Sequence, residues 1–294
     1  MYFTGFADEA ATDLDGQIRA TKELGWNAIE SRAIDGVNIH DLPDDRFDAV
    51  VEKLAAADVH INCFGSAIAN WGKKITDPID SSLEETRRAI PRMQRLGTKL
   101  VRIMSFAVLP DREPDDQMKE ERFRRVRQLT GLFLDAGLVP VHENCMNYGG
   151  MGWTYTLELL ENVPGLKLVF DTGNPVFTDD RTKSKPYPKQ SAWEFYEHVR
   201  DHIAYIHIKD GIWKPDTQTT LFTYAGEGDG DVRRIMTDLL SRGYNGGISI
   251  EPHIGAVFHD PSVQTEDGKK YRMYVEYGQR MMRMVDEIKA ELKR

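Results

Sequence analysis

The 294-residue chain has only two cysteines, Cys63 and Cys145. They make neither a CxxC pair nor a disulfide framework, which excludes a small disulfide-stapled fold. A reducing, cytoplasmic location is the expectation. An excess of positive charge is also missing. The 38 Lys and Arg stand against 47 Asp and Glu, a formal net charge of −9. Tight nucleic-acid binding draws on Lys and Arg neutralising phosphates, so no nucleic-acid partner is expected. No apolar run approaches the ~20 residues that span a bilayer. The start Met1-Tyr2-Phe3-Thr4-Gly5-Phe6 lacks the basic and apolar regions of a secretory signal. No membrane partner is therefore expected. Low-complexity segments and long linkers are absent too.

What is present is ordinary for a globular protein: 40% hydrophobic and 29% charged residues, enough apolar material for a large core. Short apolar runs alternate with amphipathic stretches. Eight runs read as strands: Tyr2–Phe6, Asn27–Glu30, Val59–Phe64, Lys99–Ser105, Leu138–Glu143, Leu166–Asp171, Ile203–Lys209 and Gly246–Glu251. Strand–helix alternation is the mark of a parallel sheet, and eight strands fit a closed α/β barrel better than an open sheet. The expected fold is a (β/α)₈ TIM barrel occupying residues 1–294 as one domain, since such barrels take roughly 250 residues. Between the strands, Phe123, Val126, Leu129, Phe133 and Ala136 fall at helical spacing, and Gly137 then stops that helix. Gly25, Gly97 and Gly243 read as similar stops. Two long loops, 173–187 and 211–230, and an irregular stretch, 253–268, follow strands, on the face where barrel active sites form.

The last four strands carry the chemistry. Val139, Val141 and Glu143 share one face of their strand, as do Val169 and Asp171, Tyr205 and His207, and Ser249 and Glu251 on theirs. The alternate sets, Leu168/Phe170, Ala204/Ile206/Ile208 and Ile248/Ile250, are apolar and suit packing against helices. The first sets then point into the barrel and bring a Glu, an Asp, a His and a Glu toward its mouth. A single carboxylate at a strand end is usually a solvated loop residue, and a single His in a strand is usually a hydrogen-bonded core residue. Four on the same face of four successive strands call for another cause. Like charges in a partly desolvated site repel, and a divalent cation removes that conflict. Oxygen-rich ligation with one imidazole suits Mn²⁺ first, then Mg²⁺ or Co²⁺, and is compatible with Zn²⁺.

At these residues the sequence resembles the xylose isomerase-like TIM barrel superfamily, also called the sugar phosphate isomerase/epimerase family, over essentially the whole chain. The motifs are Val141-His142-Glu143-Asn144, Phe170-Asp171-Thr172-Gly173-Asn174, Tyr205-Ile206-His207-Ile208-Lys209-Asp210, Gly226-Glu227-Gly228-Asp229-Gly230 and Ile248-Ser249-Ile250-Glu251-Pro252-His253. The resemblance implies that Glu143, Asp171, His207 and Glu251 bind one divalent metal ion. It implies that Glu143 and Glu251 also move protons, as the ligand glutamates of the ketose epimerases do. The reaction would be isomerisation or epimerisation of a small sugar, by proton abstraction next to a carbonyl through a metal-stabilised enediolate. The resemblance also allows a homodimer.

Two positions depart from the ketose 3-epimerases. Asn174 stands where they tend to have a His, and Trp213 where they tend to have an Arg. Asn174, Lys209, Trp213 and His253 are the expected substrate contacts. Room around Asn174 and Trp213 keeps open a lyase acting on a keto-glycoside by elimination. An apurinic endonuclease is disfavoured by the acidic charge, and a non-catalytic sugar-binding protein by the intact ligand set. Among lesser candidates, His142 points away from Glu143 and suits a structural role. Glu30 reads either as a hydroxyl contact or as a partner of Arg32. Trp71, Trp153 and Trp213 could stack on a sugar. Glu120, Glu121, Arg122, Arg124 and Arg125 read as a solvated helix face.

Overall fold

The computed structural model describes residues 1–257, 260–264 and 267–294. Eight parallel strands form one sheet: β1 (Tyr2–Gly5), β2 (Ala28–Ser31), β3 (His60–Phe64), β4 (Leu100–Ile103), β5 (Val139–Glu143), β6 (Lys167–Asp171), β7 (Ile203–Ile208) and β8 (Gly247–Ile250). Neighbours in sequence are neighbours in the sheet. β8 pairs with β1, and a parallel bridge between Phe6 and Glu30 draws the β1 and β2 edges together, so the sheet curls into a (β/α)₈ barrel. The strands agree with the sequence reading to within one or two residues at their ends.

A helix follows each strand: α1 (Leu14–Glu23), α2 (Asp44–Ala57), α3 (Asp80–Leu96), α4 (Lys119–Asp135), α5 (Trp153–Asn162), α6 (Ala192–Val199), α7 (Val232–Ser241) and α8 (Asp267–Leu292). Local chemistry sets their ends. Asp13 accepts the Gly16 amide at 2.8 Å and opens α1, and Ser191 accepts the Glu194 amide at 3.2 Å and opens α6. Gly137, at φ 74°, lets the chain leave α4 and turn into β5. Gly25, Gly97 and Gly243 share that left-handed conformation.

Strand parity divides the core in two. Leu168, Phe170, Ile206, Ile208, Ile248 and Ile250 pack outward against the helices in the large core. Cys63, Val141, Val169 and Tyr205 form a small cluster inside the barrel. A polar chain also runs through the interior. Thr4 Oγ1 donates to Asn62 Oδ1 at 2.7 Å, Asn62 Nδ2 to Tyr205 Oη at 2.9 Å, and Tyr205 Oη to Glu30 Oε2 at 2.8 Å.

Three sequence readings need correction. Arg122 is not on a solvated face: it is fully buried. Its guanidinium turns under the chain after β4 and donates to the carbonyls of Gln117, Ser105, Phe106 and Ala107 at 2.5–3.2 Å. Glu121, Arg124 and Arg125 do make surface pairs. The two long loops are also partly ordered, by a single helical turn at Asn174–Phe177 and by an antiparallel hairpin pairing Gly211–Lys214 with Thr219–Phe222. The third irregular stretch, 253–268, lies partly outside the described residues. Among the described residues no helix is long and apolar enough to cross a membrane.

Candidate metal centre

The C-terminal ends of β5, β6, β7 and β8 bring Glu143, Asp171, His207 and Glu251 together. Each offers one ligand atom, and these atoms all lie within 4.8 Å of one another. All four side chains are buried. His207 Nδ1 lies 3.5 Å from Glu143 Oε1 and 3.8 Å from Glu251 Oε2.

Surrounding bonds aim each donor. Asn144 clamps the Asp171 backbone, accepting its amide at 2.7 Å and donating to its carbonyl at 3.0 Å. The Gly173 and Asn174 amides occupy Asp171 Oδ1 at 2.8 and 2.7 Å. That leaves Asp171 Oδ2 turned to the cluster, buried and without a hydrogen bond. Lys209 Nζ stands 3.1 Å from it as an ion pair. His207 Nε2 lies 3.1 Å from Glu30 Oε1. With the proton on Nε2, the tautomer this contact favours, the lone pair on Nδ1 faces the cluster. His207 Nδ1 is likewise buried and without a hydrogen bond.

Two arginines hold the two glutamates: Arg102, which the sequence reading did not name, and Arg32, which it named only as a possible partner of Glu30. Arg102 Nη1 donates to Glu143 Oε2 at 2.9 Å, and Arg32 Nη1 donates to Glu251 Oε1 at 3.0 Å. Both guanidiniums lie over the Phe6 ring, at 5.1 and 4.5 Å from its centroid. Arg32 also pairs with Asp8 and Glu9. Glu30 therefore partners His207, Tyr205 and Ser249, and not Arg32, because Arg32 is drawn to the carboxylates of the first turn after β1.

The proton affinities follow from this crowd of charges. Burial raises the Glu143 carboxyl, but the Arg102 guanidinium and His207 more than offset it and hold Glu143 at about 2. Glu251 is held well below the usual carboxylate range despite burial, by Lys209, His253 and Arg32. Burial pushes Asp171 up to about 6 against the pull of Lys209. His207 is lifted to about 10 despite burial, chiefly by Glu30 and Glu143. The Lys209 ammonium is raised in spite of burial by Asp171 and Glu251.

These donors fit a divalent cation. Two buried ligand atoms point inward, His207 Nδ1 with no hydrogen bond and Asp171 Oδ2 with only the Lys209 ammonium beside it. Six carboxylates (Asp8, Glu9, Glu30, Glu143, Asp171 and Glu251) face three permanent cations (Arg32, Arg102 and Lys209), leaving three negative charges when His207 is neutral. A doubly charged ion offsets most of that excess. Glu9, Glu251 and His253 form a second group of three with suitable spacing. There, however, Arg32 already pairs with both Glu9 and Glu251, so its charge does the neutralising.

The expected substrate contacts divide. Asn174 Nδ2 donates to Glu143 Oε1 at 3.0 Å, and Lys209 Nζ to Glu251 Oε2 at 3.1 Å. His253 is fixed by Glu9 through Nδ1 at 2.9 Å, with Nε2 3.7 Å from Glu251 Oε1. All three line a cavity of about 70 Å³ above the cluster, with Arg32, Arg102 and Phe177. Trp213 is not among its lining residues. It lies in the hairpin after β7, with Lys189 Nζ 4.0 Å from its ring centroid. Trp71 lies at the cavity mouth, whereas Trp153 stacks on His198. His142 has the structural role expected, its Nε2 lying 3.0 Å from both Ser105 Oγ and Asn147 Oδ1. The glycine-rich segment wraps Asp210, whose carboxylate accepts the amides of Gly226, Gly228 and Gly230 at 2.8–3.1 Å. A Cβ at Gly228 would meet Asp210 Oδ1 at 2.4 Å, so the wrap requires glycine there.

A family model described as xylose isomerase-like TIM barrel matches residues 18–272. No curated protein matches the chain in sequence. Among solved structures, a xylose isomerase-like TIM barrel protein from Mycobacterium smegmatis in complex with magnesium has a TM-score of 0.68 at 17% identity, covering 97% of both chains. A D-allulose 3-epimerase from Methylomonas sp. in complex with D-allulose has a TM-score of 0.67 at 15% identity, again over 97% of both. The probable 3-DHS dehydratase involved in petrobactin synthesis from Bacillus anthracis has 0.67 at 14%, covering 96% of this chain and 99% of that one. At these identities the likeness is one of fold.

Proposed function

Because the chain belongs to the xylose isomerase-like TIM barrel family, we propose that it is a divalent-metal-dependent enzyme that isomerises or epimerises a small sugar by moving a proton next to a carbonyl. The observation that carries this reading is the buried four-donor cluster, in which His207 Nδ1 makes no hydrogen bond and Asp171 Oδ2 meets only the Lys209 ammonium, 3.1 Å away. The sugar epimerases among the structures of like fold support the choice of substrate class.

Glu143, Asp171, His207 and Glu251 would hold the ion, with Mn²⁺ the first choice. A divalent ion there supplies Lewis-acid stabilisation of the negative charge that develops on the substrate oxygens. Glu143 and Glu251 come from different strands, β5 and the end of β8, and act as the two proton carriers. Arg102 and Arg32 fix one oxygen of each glutamate. The opposite oxygen of Glu143 bonds to Asn174, and that of Glu251 to Lys209. A substrate hydroxyl that takes over either neutral or ammonium donor leaves that oxygen free to receive a proton. Lys209 stays an ammonium at neutral pH because carboxylates surround it. It is therefore a partner for developing negative charge and not a base. His253, braced by Glu9, presents Nε2 beside Glu251 and is placed to bind a substrate oxygen.

Solvent deuterium exchange tests the reading. A panel of ketoses is incubated in D₂O with the Mn²⁺-loaded protein and followed by NMR. At least one should gain deuterium on the carbon beside its carbonyl. Metal-loaded protein that exchanges no member of the panel would contradict it.

A further inference from the structure

The space above the cluster does not end at the inner cavity. Trp71, Met146 and Phe177 line both that cavity and a second, outer groove, so the two adjoin across these three side chains. The inner cavity holds about 70 Å³ and the outer groove about 340 Å³. Most of the room at this site therefore lies beyond the residues that meet the reacting carbons, and that volume is of the size of a small-molecule pocket.

The groove has a distinct chemistry. Its walls are an indole, a phenyl ring, the thioethers of Met146 and Met151, and Val108. Flat rings and polarisable sulfurs suit a flat apolar partner. Most of the groove's polar side chains already have partners. Lys189 pairs with Asp179 at 2.7 Å, and Asn147 bonds to Ser105 and to the Glu143 carbonyl. Thr178 Oγ1 is buried without a hydrogen bond, and the Arg181 guanidinium packs over Tyr187. A second sugar ring would need many more partners for its hydroxyls than these.

We propose that the groove between Trp71, Val108, Met151 and Phe177 is a subsite for an aromatic substituent, so that the substrate is an aryl-substituted sugar whose sugar ring lies over the four-donor cluster. The assignment rests on the proposed function only in taking that cluster as the seat of the sugar.

The test compares phenyl β-D-glucopyranoside with methyl β-D-glucopyranoside on the full-length, Mn²⁺-loaded chain by calorimetry. Saturation-transfer NMR on the Mg²⁺-loaded chain locates the contacts. Burial of one ring should make the phenyl glycoside bind about tenfold more tightly or better, with the strongest saturation on its aromatic protons. Val108 lies outside the proton-transfer and metal-binding residues. Val108→Asp places a charge in the groove, and Val108→Trp fills it without one. Either variant should bring the two glycosides to within about twofold of each other, leaving the methyl glycoside unchanged, as expected when one apolar contact surface is lost. Circular dichroism reports whether each variant is folded, and one folded variant suffices. Equal affinity for the two probes in the wild-type chain, no binding of either at millimolar concentration, or an aromatic preference that survives in a folded variant would overturn the subsite. Deuterium exchange into ketoses with and without an aryl substituent reads the proton chemistry separately. Exchange without an aromatic preference removes the subsite alone. The preference without exchange removes the proposed reaction alone.

Discussion

Replacing Glu30 by Gln probes how the cluster is aimed without touching a proposed ligand. Glu30 accepts three bonds: Tyr205 Oη at 2.8 Å and Ser249 Oγ at 2.6 Å on one oxygen, and His207 Nε2 at 3.1 Å on the other. A glutamine that keeps its carbonyl toward the two hydroxyls turns its amide N–H toward His207. Nε2 must then accept, and the proton moves to Nδ1, the atom that faces Glu143 and Glu251. Loss of such an orienting partner lowers metal affinity by about 10–100-fold, or about 1.4–2.7 kcal/mol. If the amide turns the other way, Tyr205 and Ser249 lose their shared acceptor, at about 1–3 kcal/mol of folding stability. Removing the Glu30 charge also weakens proton binding at His207, which offsets part of the lost metal affinity. The assay is calorimetric titration with Mn²⁺, joined by long-range ¹⁵N NMR of His207 in the Zn²⁺-loaded protein. Wild-type Mn²⁺ affinity together with unchanged stability in Glu30→Gln would refute the reasoning.

Three further outcomes are expected. With metal restored, Glu143→Gln and Glu251→Gln should lose turnover by about 10²–10⁴-fold, and at least one should lose substrate–solvent exchange. Turnover and exchange like wild type in both would end their assignment as proton carriers. Burial holds His142 at about 4, below its ordinary 6.5. Its contribution to stability is therefore complete above pH 6.5 and is lost as pH falls toward 4, amounting to about 3 kcal/mol at about 1.36 kcal/mol per unit. Urea melts at pH 7 and pH 4.5 should show this loss in wild type, and a smaller one in His142→Gln. Arg122→Met should cost about 2–4 kcal/mol of stability, read by thermal melting, because four carbonyls near β4 lose their buried donor.

The fold and the cluster were legible because both rest on strand periodicity. Alternation in β6 to β8 separates an apolar outward set from an inward set that ends in Asp171, His207 and Glu251, and the parity of Val139, Val141 and Glu143 in β5 aims the fourth residue with them. The bracing residues are harder to read. Arg102 does carry a signal, since it lies on the inward face of β4, where a charge must find a partner. Arg32 and Glu9 carry no signal of their bracing role, because they lie outside the barrel strands, and the bonds from Arg32 to Glu251 and from His253 to Glu9 join residues 219 and 244 positions apart. Arg122 was misread for a related reason. Its neighbours Glu120, Glu121 and Arg124 make the segment look solvated, while the carbonyls that bury it come from residues 105–107 and 117. Trp213 depended on a loop, and the hairpin that forms there sets its position by pairing Trp213 with Thr220.

The most direct test of the central claim is the metal content of the cluster. Chelator-stripped protein is titrated with Mn²⁺ by calorimetry, and bound metal is counted after desalting. About one ion per chain should bind, chelation should abolish activity, and the Glu143→Ala, Asp171→Ala double variant should bind none. Wild-type protein that binds no divalent ion, or a double variant that still retains one per chain, would contradict the account.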